Sequence, residues 1–289
     1  MRLGIAVDSR MCMACYCCFT ACKDEHCGFA SKLSAKQPMM GHTWIDVREW
    51  ERGDSSRRVK SASVPTLCAH CQDAACIKAA KNEAVYKRPD GIVIIDPEKS
   101  KGQKQIVDAC PIGAVYWNEE LEIPQKCTMC AELLDDPDYL AYLGDPKLKT
   151  PRCVEACPNQ ALIFGDLDDP NSEISKLVAS QRNTQLEPLA GQETNVKYLN
   201  VPSVYLAGTV YQPKELDEVI AGAKISLSCK ETGETWETES NYFGDWEVEW
   251  LPKNKNIDIT ITAKGYASAA YTAYTDTDHY VDMTYLAKA

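Results

Sequence analysis

From about Tyr198 to the end of the chain, apolar and polar side chains alternate with a period of two. The alternation runs through residues 204–211, 223–229, 235–240, 246–251 and 257–263, and turns containing Gly, Asn or Pro separate these segments. Residues 268–275 and 280–286 continue it. A strand places alternate side chains on opposite faces, so the pattern predicts seven half-buried strands in an all-β sandwich or small barrel. The period changes just upstream. Ile174, Leu177 and Val178 recur at i, i+3 and i+4 behind Ser172, which predicts a short amphipathic helix capped by that serine. Between helix and strands, residues 181–194 are polar and without period, as expected of a linker.

Cysteine sets the texture of the remainder. Fourteen of the 15 cysteines fall between Cys12 and Cys157, and only Cys229 lies beyond, at a strand position that suits a small buried hydrophobe. At 289 residues the chain is long enough for a real core, which argues against a scaffold stapled by disulfides. The formal charge is −11, and no nucleic-acid surface is expected because phosphate binding needs a basic face. The residues from Val196 onward, 8 basic and 14 acidic, read as a solvated acidic surface. No apolar run is long enough for a membrane span, and the first ten residues carry no export pattern. A cytoplasmic location follows as the expectation, with thiolates binding metal rather than each other.

Cys12-x2-Cys15-x2-Cys18-x3-Cys22 is the strongest motif. [4Fe-4S] clusters take four thiolates, and two-cluster ferredoxins use this run with the fourth cysteine serving the other cluster. The first three wrap one corner of a cube on a tight loop, and the fourth, opening a helix, points towards a neighbouring cube. Further groups are Cys68-x2-Cys71-x4-Cys76, Cys110-Pro111, Cys127-x2-Cys130 and Cys153-x3-Cys157-Pro158. Each CxxC alone would also suit half a zinc ribbon. His26, His42, His70 and His279 show no paired ligand spacing, and His70 is either a neighbour of the ligands or an exposed residue. The acidic pairs Glu119/Glu120 and Asp135/Asp136 read as solvated turns. Without a phosphate loop, nucleophile elbow or HExxH pair, no active site is expected in this chain.

The cysteine-rich part resembles the iron–sulfur subunits of the dimethyl sulfoxide reductase family of molybdenum or tungsten enzymes, which fuse two ferredoxin units carrying four motifs and four clusters. Against that pattern, the second motif ends in Ala80 and Lys81 instead of Cys-Pro. The third has Ser100, Gln103 and Ile106 where cysteines precede Cys110. Under swapped ligation these four positions serve one cluster, so the resemblance implies three clusters with one deleted whole. It assigns Cys12, Cys15, Cys18 and Cys157 to the first, Cys22, Cys127, Cys130 and Cys153 to the second, and Cys68, Cys71, Cys76 and Cys110 to the third. Cys17 competes with Cys18 but breaks the spacing, and Cys17 and Cys27 are expected as buried packing. Met13, Tyr16, Phe19, Ile77, Ile112 and Met129 are expected to pack among the ligands and exclude water.

The stretches Ala221-Gly-Ala-Lys-Ile-Ser-Leu and Asn241-Tyr-Phe-Gly-Asp-Trp are similar to transthyretin-like β domains. The implied fold is α+β, with two fused ferredoxin-like [4Fe-4S] units followed by a C-terminal all-β transthyretin-like sandwich or barrel. Residues 1–60 with 120–195 form the unit holding two clusters. Residues 61–119 form an inserted unit holding one, and 196–289 form the β domain. The combination resembles the small subunits of those family members that move a hydroxyl between aromatic ring carbons. The chain is then the non-catalytic half of a heterodimer. Its large partner would bind molybdenum through bis-molybdopterin guanine dinucleotide, and the clusters would prime or relay electrons and support the partner's structure. The alternative is the electron-transfer subunit of a molybdenum reductase or phenol dehydroxylase with net two-electron chemistry.

Overall fold

A computed structural model describes residues 1–28, 30–55, 58–138, 149–189, 191–213 and 218–289. Two compact units emerge, one of Met1–Glu49 with Ser63–Val201 and one of Trp50–Ala62 with Pro202–Ala289. In chain order the first contains β1 (Leu3–Asp8) and α1 (Cys17–Cys27). The hairpin β2 (Ile45–Ser55) and β3 (Arg58–Leu67) contributes residues to both units. There follow α2 (Ala75–Ala79), the hairpin β4 (Val85–Lys87) and β5 (Val93–Ile95), α3 (Gln105–Asp108), and the hairpin β6 (Tyr116–Asn118) and β7 (Ile123–Gln125). The unit ends with α4 (Ala131–Asp135), α5 (Arg152–Glu155), β8 (Leu162–Asp166), α6 (Glu173–Ser180) and β9 (Val196–Leu199).

β1 is apolar on both faces because it is the central strand of its sheet. It pairs antiparallel with β8, from Leu3 opposite Asp166 to Val7 opposite Leu162, and parallel with β9, from Ile5 opposite Val196 to Asp8 opposite Leu199. Ile5 and Val7 enter the main core, while Ala6 packs with Ile174 and Leu199 under α6. At Gly165 a Cβ would lie 2.9 Å from Ile174 Cγ2, so close approach of helix and strand requires glycine there. Ser172 caps α6 as its sequence predicts, its side chain accepting from Ser175 N at 3.2 Å. The segment expected as a linker is packed instead. Asn183 bridges to Leu199, and Leu189 is buried in the main core. A single deeply buried apolar side chain in this polar stretch is too sparse a signal for any periodicity. No helix among the described residues is long and apolar enough to cross a membrane.

The second unit adds β10 (Val204–Tyr211), β11 (Lys224–Ser228), β12 (Thr235–Glu239), β13 (Asp245–Leu251), β14 (Asn256–Thr262), β15 (Ala269–Tyr274) and β16 (His279–Tyr285). Each lies within a residue or so of the segment its alternation predicts. They form two sheets, ordered β13-β10-β16 and β12-β11-β14-β15. Leu206, Val210, Trp246, Val248 and Leu251 from one sheet meet Ile225, Leu227, Ile257, Ile259 and Ile261 from the other in a single apolar core that also takes in Cys229. The intervening Lys224, Ser226, Thr260 and Thr262 are exposed.

The hairpin residues of this unit are tied down by charge. Buried Arg52 makes two bonds to Asp278, at 3.0 and 2.9 Å, and the same carboxylate accepts from Tyr205 N at 2.8 Å. Arg58 and Lys60 both bond Glu247 and hold its carboxyl below the usual range against the opposing effect of burial. Ile259 is fully buried at the centre of its sheet, so Ile259→Ala should cost about 2–5 kcal/mol. The check is amide exchange along β11 and β14, which should accelerate while β1 is unchanged.

Candidate metal centre

Three of the four CxxC loops, Cys12–Cys15, Cys68–Cys71 and Cys127–Cys130, share one backbone device. The residue before the second cysteine is left-handed in each, with φ of 52° at Ala14, 45° at His70 and 57° at Met129. None is glycine, and such a conformation costs a non-glycine residue about 1–3 kcal/mol, which the surrounding structure must supply. Turns of this kind bring successive N–H groups to one side. In the last loop Met129 N donates to Cys127 Sγ at 3.3 Å.

Helices carry the remaining cysteines in pairs. Cys18 and Cys22 lie on α1 four residues apart, and Cys153 on α5 is followed four residues later by Cys157. Residues at i and i+4 share a helix face and are separated by about 6 Å of rise. α1 and α5 pack against each other, so two pairs of sulfurs meet. Cys12, Cys15, Cys18 and Cys157 line one cavity. Cys22, Cys127 and Cys153 lie in the main core, Cys130 is buried as well, and the four interact electrostatically with one another. The inserted stretch repeats the plan with α2 and α3, which also pack together. There Cys68, Cys71, Cys76 and Cys110 line a second cavity.

Burial dominates the electrostatics. It pushes the Cys18 and Cys127 thiols up to about 12 and those of Cys71 and Cys76 up to about 11. Cys22, Cys130 and Cys153 are also raised well above the usual thiol range, first by burial and then by neighbouring thiolates. Such thiols keep their protons at neutral pH unless a cation compensates, so loading them with metal releases protons. Backbone donors favour the charged form at both Cys-Pro sites. Ala114 N donates to Cys110 Sγ at 3.3 Å, and Ala161 N to Cys157 Sγ at 3.2 Å. The charge of Cys18 acts on Cys153 and that of Cys68 on Cys127. The set of Cys22, Cys127, Cys130 and Cys153 therefore adjoins both of the others, as the middle set.

All fifteen cysteines are free thiols. Among the described residues no three His, Cys, Asp or Glu side chains converge on a point that would suit a single ion. Two of the sets instead surround space, and the third lies within the core. Four soft thiolates set around a cavity, with N–H donors aimed at sulfur, fit an iron–sulfur cluster better than a mononuclear zinc.

The positions of the absent motif also come together, and they are filled. Ala80 follows Cys76 by one turn, as Ile106 precedes Cys110 by one turn, and both pack in an apolar cluster with Val85, Ile95 and Val115. Gln103 Oε1 accepts from Lys81 N at 2.8 Å, while its Nε2 donates to Lys81 O at 3.2 Å and Lys99 O at 2.8 Å. Ser100 is fully buried beside them.

Several residues differ from expectation. Cys17 is exposed and off the cavity that Cys18 lines, so it is not buried packing. Cys27 is half-buried, with its sulfur 3.6 Å from Pro38 O. Met129 and Ile112 are buried, but Met13 and Tyr16 sit exposed at the cavity edge, because the first loop lies at the surface. Asp135 pairs with Arg88 at 2.6 Å. His70 is fully buried.

Two residues near the thiols carry functional weight that spacing alone did not reveal. His26 is buried, with Nδ1 3.1 Å from Glu132 and Nε2 3.6 Å from Cys130 Sγ; its place four residues after Cys22 was the available signal. Lys126 is buried beside the cysteines, its ammonium donating to Val93 O and, at 3.1 Å, to Cys127 O.

Loss of the Gln103 amide would leave the Lys81 N–H without its side-chain acceptor, while Lys81 O keeps its bond from Ala84 N at 3.0 Å. Gln103→Ala should cost about 0.5–1.5 kcal/mol, visible as faster exchange of the Lys81 amide.

Comparison with known proteins agrees with this geometry. A family model described as a 4Fe-4S dicluster domain matches residues 59–167. The pyrogallol hydroxytransferase small subunit of Pelobacter acidigallici is 34% identical over 91% of this chain and 92% of its own length. A sulfite dehydrogenase subunit of Allochromatium vinosum is 33% identical over 68% of this chain and 82% of its own. A putative dimethyl sulfoxide reductase iron-sulfur subunit of Halobacterium salinarum is 30% identical over 68% and 78%, respectively.

Proposed function

Because the chain belongs to the iron–sulfur small subunits of the dimethyl sulfoxide reductase family of molybdenum enzymes, we propose that it holds three [4Fe-4S] clusters for a large catalytic partner. The partner would carry molybdenum on bis-molybdopterin guanine dinucleotide. The observation that carries this reading is the convergence of twelve cysteines into three adjoining sets. Clusters bound there supply one-electron storage and transfer. The chain's own residues do the rest. Cys12, Cys15, Cys18 and Cys157 hold the first, Cys22, Cys127, Cys130 and Cys153 the second, and Cys68, Cys71, Cys76 and Cys110 the third. The N–H donors at Cys110, Cys127 and Cys157 stabilise thiolate charge, and buried Met129 and Ile112 exclude water.

In the same reading, residues 1–60 with 120–195 form a ferredoxin-like unit, and 61–119 form a second, inserted one. The pairing of β1 with β8 and of α1 with α5 supports the first, and the packing of α2 with α3 supports the second. Residues 196–289 supply the transthyretin-like β domain, supported by the seven strands of the two-sheet sandwich.

The complex most in keeping with the whole chain transfers a hydroxyl between aromatic ring carbons. Similarity to the pyrogallol hydroxytransferase small subunit reaches 91% of the chain, whereas the sulfite dehydrogenase and dimethyl sulfoxide reductase subunits match 68%. Such a transfer has no net electron demand, so the clusters would prime the metal or support structure. A second reading, a relay in a net two-electron reductase or dehydroxylase, draws on the almost equal identity to the sulfite dehydrogenase subunit.

Metal analysis tests the ligand sets. The purified complex should show about twelve irons and twelve acid-labile sulfides attributable to this chain. Cys110→Ser should remove about four of those irons and Cys17→Ser none; full retention in Cys110→Ser overturns the assignment. Steady-state turnover with an artificial electron donor separates the two readings. Transhydroxylation consumes no donor per turnover, while stoichiometric consumption establishes the reductase.

A further inference from the structure

His70 presents an unsatisfied donor beside the cavity of the third cysteine set. It occupies the left-handed position of the Cys68–Cys71 loop, is fully buried and lines the same cavity as Cys68, Cys71, Cys76 and Cys110. Its Nδ1 accepts a hydrogen bond from Val93 N at 3.0 Å. A backbone N–H can only donate, so Nδ1 must be unprotonated and the ring proton of the neutral imidazole sits on Nε2. Nε2 is buried and has no partner among the described residues. An orphaned buried donor of this kind costs about 1–3 kcal/mol and calls for an acceptor. Val93 links this histidine to Lys126, donating its N–H to His70 and accepting at its carbonyl from the Lys126 ammonium.

We infer that His70 donates its Nε2–H to a sulfur of the cluster held by Cys68, Cys71, Cys76 and Cys110, raising that cluster's reduction potential. The inference rests on the cluster reading above. Its physical basis is that reduction adds negative charge to the cluster, and a hydrogen bond to sulfur stabilises the more negative state. His26, by contrast, divides its ring between Glu132 and Cys130 Sγ.

The experiment uses the intact complex labelled with [15N]histidine. Pulsed EPR of the reduced protein should show ring-nitrogen coupling to the third cluster, and that coupling should disappear in His70→Leu and in His70→Gln. An EPR-monitored redox titration should show the third cluster harder to reduce in His70→Leu. A tenfold fall in its reduced-to-oxidised ratio at fixed potential corresponds to a shift of about 59 mV. The other two midpoints should stay in place, and His70→Gln, whose amide keeps a donor, should recover part of the shift. An intact third cluster with an unmoved midpoint in His70→Leu overturns the inference. If His70→Leu loses the cluster, His70→Gln decides, since coupling that persists there overturns it equally. Iron and sulfide analysis of the unmodified complex keeps the two claims apart. No cluster at this site sinks the functional reading, whereas a cluster without histidine coupling sinks only the role of His70.

Discussion

The first unit depends on pairs of sulfurs one helical turn apart on packed helices. An α-helix places residues i and i+4 on one face, so α1 offers Cys18 and Cys22 in line, and α5 with its following turn offers Cys153 and Cys157. Packing these two elements together delivers two sulfurs to each of two neighbouring sites. The CxxC loops then close each site from the other side. Everything else in the unit, including the strained left-handed residues at Ala14, His70 and Met129, holds those few positions in place.

The same sulfurs are part of the hydrophobic core. Cys18, Cys22, Cys68, Cys127 and Cys153 are buried among Ile5, Trp44, Leu67, Ile92 and Leu162. Burial that favours the neutral thiol works against the thiolate that a metal requires. The backbone donors at Cys110, Cys127 and Cys157 offset part of that cost, and bound iron would supply the rest. Cluster binding as proposed would therefore couple folding of this unit to metal loading, while the second unit has an apolar core made without those twelve cysteines.

In the proposed reading, residues 61–119 hold one cluster where the resembled subunits hold two. The helices α2 and α3 pack together there, and the positions one turn from Cys76 and Cys110 are Ala80 and Ile106, which pack in an apolar cluster. The amide of Gln103 bonds both backbone groups of Lys81. On that reading all four ligands of one site are absent together, which avoids a partly liganded site, the costlier outcome for a buried polar cluster.

Much of this molecule is legible as local pattern. Alternation locates the seven strands of the second unit within a residue or so, and Ser172 with Ile174, Leu177 and Val178 locates α6, because both signals depend on neighbours in the chain. Cysteine spacing likewise identifies the chemistry, since a loop of fixed length can wrap only certain shapes. Other features depend on contacts between residues far apart. The polar segment 181–194 gives no local hint that Leu189 is buried in the core, and exposure of Cys17 beside buried Cys18 follows from which face of α1 meets α5. The tautomer of His70 is set by the amide of Val93, twenty-three residues away. Chain order thus determines which elements and donor atoms exist. Long-range packing decides which of them are dry, charged or left without a partner, because burial and hydrogen bonding are properties of the assembled fold.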